Sequence, residues 1–121
     1  MVYENLYTEF VDMFLDDKTW FEEECQKKAI DDEDGMHIVF GMVVVPYILE
    51  KAVSYPSKLQ LAFDYIEKME SSGDPSIAEV VEFSILENLI GVDETKMRKC
   101  VGCMGMETKK AYDDLRKWFN K

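Results

Sequence analysis

The sequence predicts an all-α protein: one compact domain over residues 1–121, built from about seven helices joined by short loops. Three observations carry this. Apolar residues recur at three- and four-residue spacings along most of the chain. Helix-start chemistry separates those segments, in Thr19 with Glu22, Ser57 with Gln60, Asp74 before Pro75, and Asp93. No Gly/Ser-rich linker, low-complexity tract or internal repeat divides the series. With 121 residues, 47% of them apolar, such a chain buries roughly two thirds of the surface its unfolded form exposes and needs no staples.

Tyr3, Leu6, Phe10, Met13 and Phe14 predict a first helix over about 2–16. Thr19 and Glu22 form a capping box, each side chain satisfying a backbone donor of the other residue, so a second helix starts there and ends before Asp31. Asp31, Asp32, Glu33, Asp34 and Gly35 form an acidic connector, with Asp34 as expected N-cap of the next segment. That segment, "MHIVFGMVVVPYIL", is the most apolar in the chain. Its valines and isoleucine suit a strand, which is the alternative, but the run continues into "EKAV" and is long for one. We read a buried central helix over about 36–53, bent where Pro46 removes a hydrogen bond.

Ser57 and Gln60 form a second capping box, opening a helix that buries Leu59, Ala62, Phe63, Ile66 and Met69 and ends near "SSG". Asp64 and Lys68 sit four apart on its outer side. Asp74 and Pro75 begin a helix to about Ile90. One stripe of it holds Ile77, Val80, Val81, Ser84 and Ile85, and an opposite one Phe83, Leu86 and Ile90, as in a helix sandwiched between neighbours. Asp93 caps a short helix to Cys100 or Val101, stopped by Gly102 and Gly105. The last helix, about 106–120, places Ala111, Tyr112, Leu115, Trp118 and Phe119 on one stripe.

The formal charge of −11 argues against nucleic acid as a partner, since phosphates are gripped by clustered Lys and Arg, and against an anionic membrane surface. A cationic partner is attracted from a distance. Cys25, Cys100 and Cys103 have no disulfide-framework spacing, which suits a reducing compartment. The first twenty residues carry five acids and no signal-like apolar run, and the longest uncharged run, Met36 to Leu49, has 14 residues against the roughly 20 of a membrane span. A cytoplasmic location is expected.

His37 is the single histidine, so no imidazole pair can hold a metal. Cys100 and Cys103 have a zinc-compatible separation but lack two further ligands, and they read as small packed residues at a helix junction. Met13, Met42 and Met69 read as core filling. No phosphate-binding glycine pattern occurs, no carboxylate pair is marked for acid–base work, and neither enzyme activity nor a cofactor is expected.

The stretches "HIVFGMVVVPYILEKAV", "LAFDYIEKMESSGD", "VVEFSILENL" and "MGMETKKAYDDL" together resemble small bacterial all-helical immunity proteins of polymorphic and contact-dependent growth inhibition toxin systems. The resemblance covers about residues 36–116, and Met106 stands where its pattern places proline. It implies a protein that binds one cognate toxin domain and blocks its active site or substrate path; a generic helical adaptor is the alternative. Many such toxins are nucleases with basic surfaces, which an acidic protein can engage by imitating the substrate. Asp31, Asp32, Glu33 and Asp34 are the first candidates for contacting toxin Lys or Arg, with Glu22, Glu23 and Glu24 extending the patch. Glu79 and Glu82 are second candidates, and Tyr47 and Tyr55 candidate aromatic anchors.

Overall fold

The computed structural model describes residues 1–119, and among these it contains seven helical segments and no strand. They are α1 (Leu6–Asp12), entered through a 3₁₀ turn at Tyr3–Asn5, and α2 (Lys18–Lys27), entered through another at Leu15–Asp17. Next come α3 (Met36–Ser54), α4 (Pro56–Glu70) and α5 (residues 75–89), followed by α6 (Glu94–Cys103) and α7 (Met106–Phe119).

The all-apolar run is a helix, and it lies at the centre. α3 packs on α1, α2, α4, α5 and α6. Phe40, Val43, Val44, Tyr47 and Ile48 are fully buried along it, each such side chain contributing about 1.5–3 kcal/mol of transfer free energy. The backbone accommodates contacts on so many sides by widening to π geometry at Phe40–Val44, where the Val45 amide reaches back to the Phe40 carbonyl. Pro46 has no N–H for the Met42 carbonyl four residues back, and Lys28 Nζ donates to that oxygen at 2.7 Å. A second π stretch, Val80–Leu86 in α5, packs against the first. Gly41 permits the approach: a Cβ there would lie 3.2 Å from Asn88 Nδ2 and 3.5 Å from the Ser84 carbonyl oxygen.

Aromatic rings tie the N-terminal helices to this centre. Phe10 of α1 meets Phe14, Phe21, Phe40, Tyr47 and Tyr65, with ring centroids 5.1–6.2 Å apart. These contacts correct the first predicted helix. It breaks after Asp12, because Phe14 leaves helical geometry at φ −126°, ψ 55° and turns its ring into the core beside Tyr47. Met13 is left exposed, as is Met42; only Met69 of the three methionines is buried.

Three cap assignments also change. α2 begins a residue before Thr19 and α4 at Pro56, and neither N-cap accepts a side-chain hydrogen bond. Gln60 instead donates to Asp64 and to the Cys103 carbonyl, so Asp64 pairs within its helix through Gln60. α3 starts from Gly35, while Asp34 bonds backward to the Asp31 amide at 3.0 Å. Asp74 and Asp93 do cap α5 and α6, accepting from the Ser76 and Lys96 amides. Gly102 lies inside α6, which runs to Cys103. The second stripe of α5 is covered except at Phe83, since Leu86 is buried and Ile90 half-buried, while Trp118 and Phe119 at the end of the α7 stripe are exposed.

α3 is also long and apolar enough by composition to cross a membrane, at 19 residues and mean hydropathy 1.6. Five helices pack around it, and half of it is buried inside the fold.

Candidate acidic docking face

α1, α2, the connector and the start of α3 line a groove of about 680 Å³. Its floor is apolar and buried or half-buried: Tyr7, Val11, Phe21, Cys25, Met36 and Val39. Its rim carries Glu4, Asp12, Glu22, Asp31, Asp32 and Asp34 against one ammonium, Lys18. A second hollow of about 330 Å³ shares Glu4 and adds Tyr3, His37, Asp74, Ser76 and Glu79. The two hollows therefore form one acidic face running from the connector to the start of α5.

The connector is held by its own bonds. α2 closes with Ala29 at φ 55°, in the left-handed region, where the Ile30 amide donates to the Cys25 carbonyl at 2.8 Å and the Ala29 amide to that of Gln26 at 3.2 Å. That turn sets Ile30 and Asp31 on the groove wall. Asp31 Oδ1 then accepts the Glu33 amide at 2.9 Å, and Asp34 Oδ2 accepts the Asp31 amide.

The structure distributes the sequence candidates unevenly. Asp31, Asp32, Asp34 and Glu22 line the groove, and Glu79 lines the adjoining hollow. Glu33 and Glu23 are exposed but outside both. Glu24 is engaged within the fold: Lys28 at 3.1 Å and Lys27 at 3.4 Å hold its carboxyl below its usual range, chiefly through the Lys28 bond. Glu4 and Asp12 on the rim escaped sequence reading, since only the pairing of α1 with α2 brings them to the connector.

Tyr47 is not a surface anchor. It is fully buried, and its hydroxyl donates to Asp17 at 2.5 Å. Burial, that bond and the Asp17 charge push its ionisation well above the usual phenol range. Lys58 also donates to Asp17 at 2.9 Å, and the buried Lys51 ammonium lies 3.7 Å away. Burial opposes ionisation of Asp17, yet the Tyr47 and Lys58 bonds and the two lysine charges outweigh it and hold the carboxyl below its usual range. Tyr55 is half exposed, with the Lys51 and Lys58 ammoniums 4.8 and 5.1 Å from its ring centroid.

Glu82 belongs elsewhere, beside Glu70 of α4. One Glu70 oxygen is buried without a hydrogen-bond partner, and burial together with the charges of Glu82, Glu67 and Glu107 pushes its carboxyl up to about 7. Glu67 is pulled the opposite way. Burial is outweighed by the Thr108 amide and hydroxyl, the Glu107 amide and Ser71, so it stays ionised and caps α7 at 2.8–3.1 Å.

His37 is exposed, with Nδ1 2.6 Å from Ser84 Oγ. Burial pushes Cys100 up to about 12, with the neighbouring Cys103 adding to it, so this thiol stays protonated and unreactive near neutral pH. Among the described residues no group of three or more His, Cys, Asp or Glu side chains is placed to hold a metal ion.

The fold and face thus define an all-α bundle with an apolar groove under a carboxylate rim. A family model described as a domain of unknown function, DUF7674, matches residues 7–120, and the chain belongs to that family. No curated protein and no solved structure matches it.

Proposed function

We propose that this chain is a cytoplasmic immunity protein that binds the basic surface of a cognate toxin domain, of nuclease type, and blocks its active site or substrate path without catalysis of its own. The observation that carries this reading is the acidic face, with carboxylates from the Tyr3–Asn5 turn, α1, α2 and the connector around one groove. Charge segregation supports it: residues 1–50 hold 13 of the 25 acidic residues and 3 of the 14 basic ones. A nuclease grips phosphates with Lys and Arg. Carboxylates held at fixed positions compete for the same groups and speed encounter at low salt. The resemblance over residues 36–116 supplies the toxin setting.

The test is co-expression with the toxin domain encoded directly upstream, scored by growth and by a stable complex. Replacing Asp31, Asp32 and Asp34 with Asn and Glu33 with Gln keeps the acceptor oxygens of the connector while removing its charge. We expect at least tenfold weaker binding and a shallower salt dependence; unchanged affinity and slope would remove this face from the reading.

A second reading, a helical adaptor, is favoured by one observation. Ile38, Met42 and Val53, with half-buried Leu49, leave an apolar strip open along α3. Partner binding lost in Ile38→Glu with Val53→Glu, but kept in the connector variant, would select it.

A further inference from the structure

We propose that the groove between α1, α2 and the connector is a receptor for a short basic and apolar segment of the partner, led by an arginine. This rests on the reading above and specifies what the acidic face takes in.

Acidity alone calls for no cavity, since carboxylates on a convex surface attract cations equally well. Here the carboxylates stand around a hollow whose floor is Tyr7, Val11, Phe21, Cys25, Met36 and Val39. Its volume of about 680 Å³ lies within the range of sites that enclose a ligand. A ligand matching both parts needs an apolar body and a positive head. A phosphate or carboxylate ligand meets six acids and one lysine. A wholly apolar segment leaves the rim acids without partners. Arginine satisfies both demands: its stem covers apolar surface, and its guanidinium is weakly hydrated, stacks on aromatic rings and forks between carboxylate oxygens. The hollow exceeds one side chain, so an apolar neighbour in the same segment fills the remainder.

The probe is acetyl-Leu-Arg-Leu-Arg-amide, with acetyl-Gly-Arg-Gly-Arg-amide and acetyl-Leu-Glu-Leu-Glu-amide as controls, titrated calorimetrically into the full chain. The leucine–arginine peptide is expected to bind one to one, at least tenfold tighter than the glycine form, with no binding of the glutamate form. Thr8→Trp, which fills the groove from its exposed edge, and Asp12→Asn with Asp31→Asn and Asp34→Asn are each expected to weaken it tenfold or more. Thiol labelling reads the unaltered protein: Cys25 lines the groove and Cys103 does not, so the peptide slows alkylation at Cys25 alone.

Equal binding of the glycine and leucine peptides, no binding at all, or unprotected Cys25 overturns the proposal. Self-association of the chain abolished by Thr8→Trp also overturns it, assigning the groove to a second copy. The two readings fail separately. A toxin domain that binds Thr8→Trp normally but loses affinity for the connector variant keeps the docking face and discards the groove.

Discussion

Single carboxylates in this molecule have opposite fates set by their neighbours. Glu70, half-buried with one unpartnered oxygen and three acids around it, has a folded-state pKa of about 7 against an ordinary 4.5. Its contribution to stability is fully present below about 4.5 and is lost as pH rises through about 7. Glu70→Gln is therefore expected to stabilise the fold by about 1–2 kcal/mol at pH 8 and to change it little at pH 4, read from denaturant midpoints. Asp17 has the reverse sign, its contribution being lost as pH falls through its lowered pKa. Tyr47→Phe removes one of its two hydrogen bonds and is expected to cost about 1–2 kcal/mol. The same variant should bind a partner as before, because the ring lies in the core.

Helices here depend on side chains from other helices. α7 is capped by Glu67 of α4, whose oxygens accept from the Glu107 and Thr108 amides and the Thr108 hydroxyl. The stretches "IEKM" and "GMET" are thereby one device, and α7 starts at Met106 without a proline there. Gly105 makes room for it, since a Cβ there would lie 2.5 Å from the Glu67 carboxyl carbon. Glu67→Ala and Gly105→Ala should each cost about 1–3 kcal/mol and expose the first-turn amides of α7 to hydrogen exchange, leaving those of α3 protected. At the end of α2, Ala29 holds a left-handed conformation that glycine adopts without penalty. Ala29→Gly is expected to raise stability by about 1 kcal/mol, measured as a shift in the thermal midpoint.

Across the whole molecule, charge is segregated. The acidic N-terminal third contrasts with residues 91–121, where eight basic residues face five acidic ones. α1 and α2 pack on each other and on α3, whereas α6 and α7 pack on α3, α4 and α5. The groove of the acidic face thus stands on α1, α2 and the connector, while the basic helices stand on α3, α4 and α5. Crowding like charges on one face is a cost to the free protein. Asp12→Asn with Asp31→Asn and Asp34→Asn is expected to leave stability unchanged or slightly raised at low salt, with the difference vanishing at about 1 M salt, where screening shortens to about 3 Å.

Helix existence, the central place of the 36–53 run and the Asp74 and Asp93 caps were legible in the sequence, because spacing, length and capping are local properties. The sequence also determined the composition of the acidic connector. Tertiary structure alone decided which acids stand together. Glu4 and Asp12 reach the rim through the pairing of α1 with α2, Glu24 is neutralised by two lysines, and Glu82 lies by Glu70. Tertiary contacts likewise turned Tyr47 inward, drew Gln60 from its expected cap to the Cys103 carbonyl, and capped α7 with Glu67 of α4. The physical reason is range. Hydrophobic period and cap chemistry act within one or two turns of helix, whereas a groove, a buried charge and a capped helix end depend on residues 18 to 41 positions apart meeting in the packed fold.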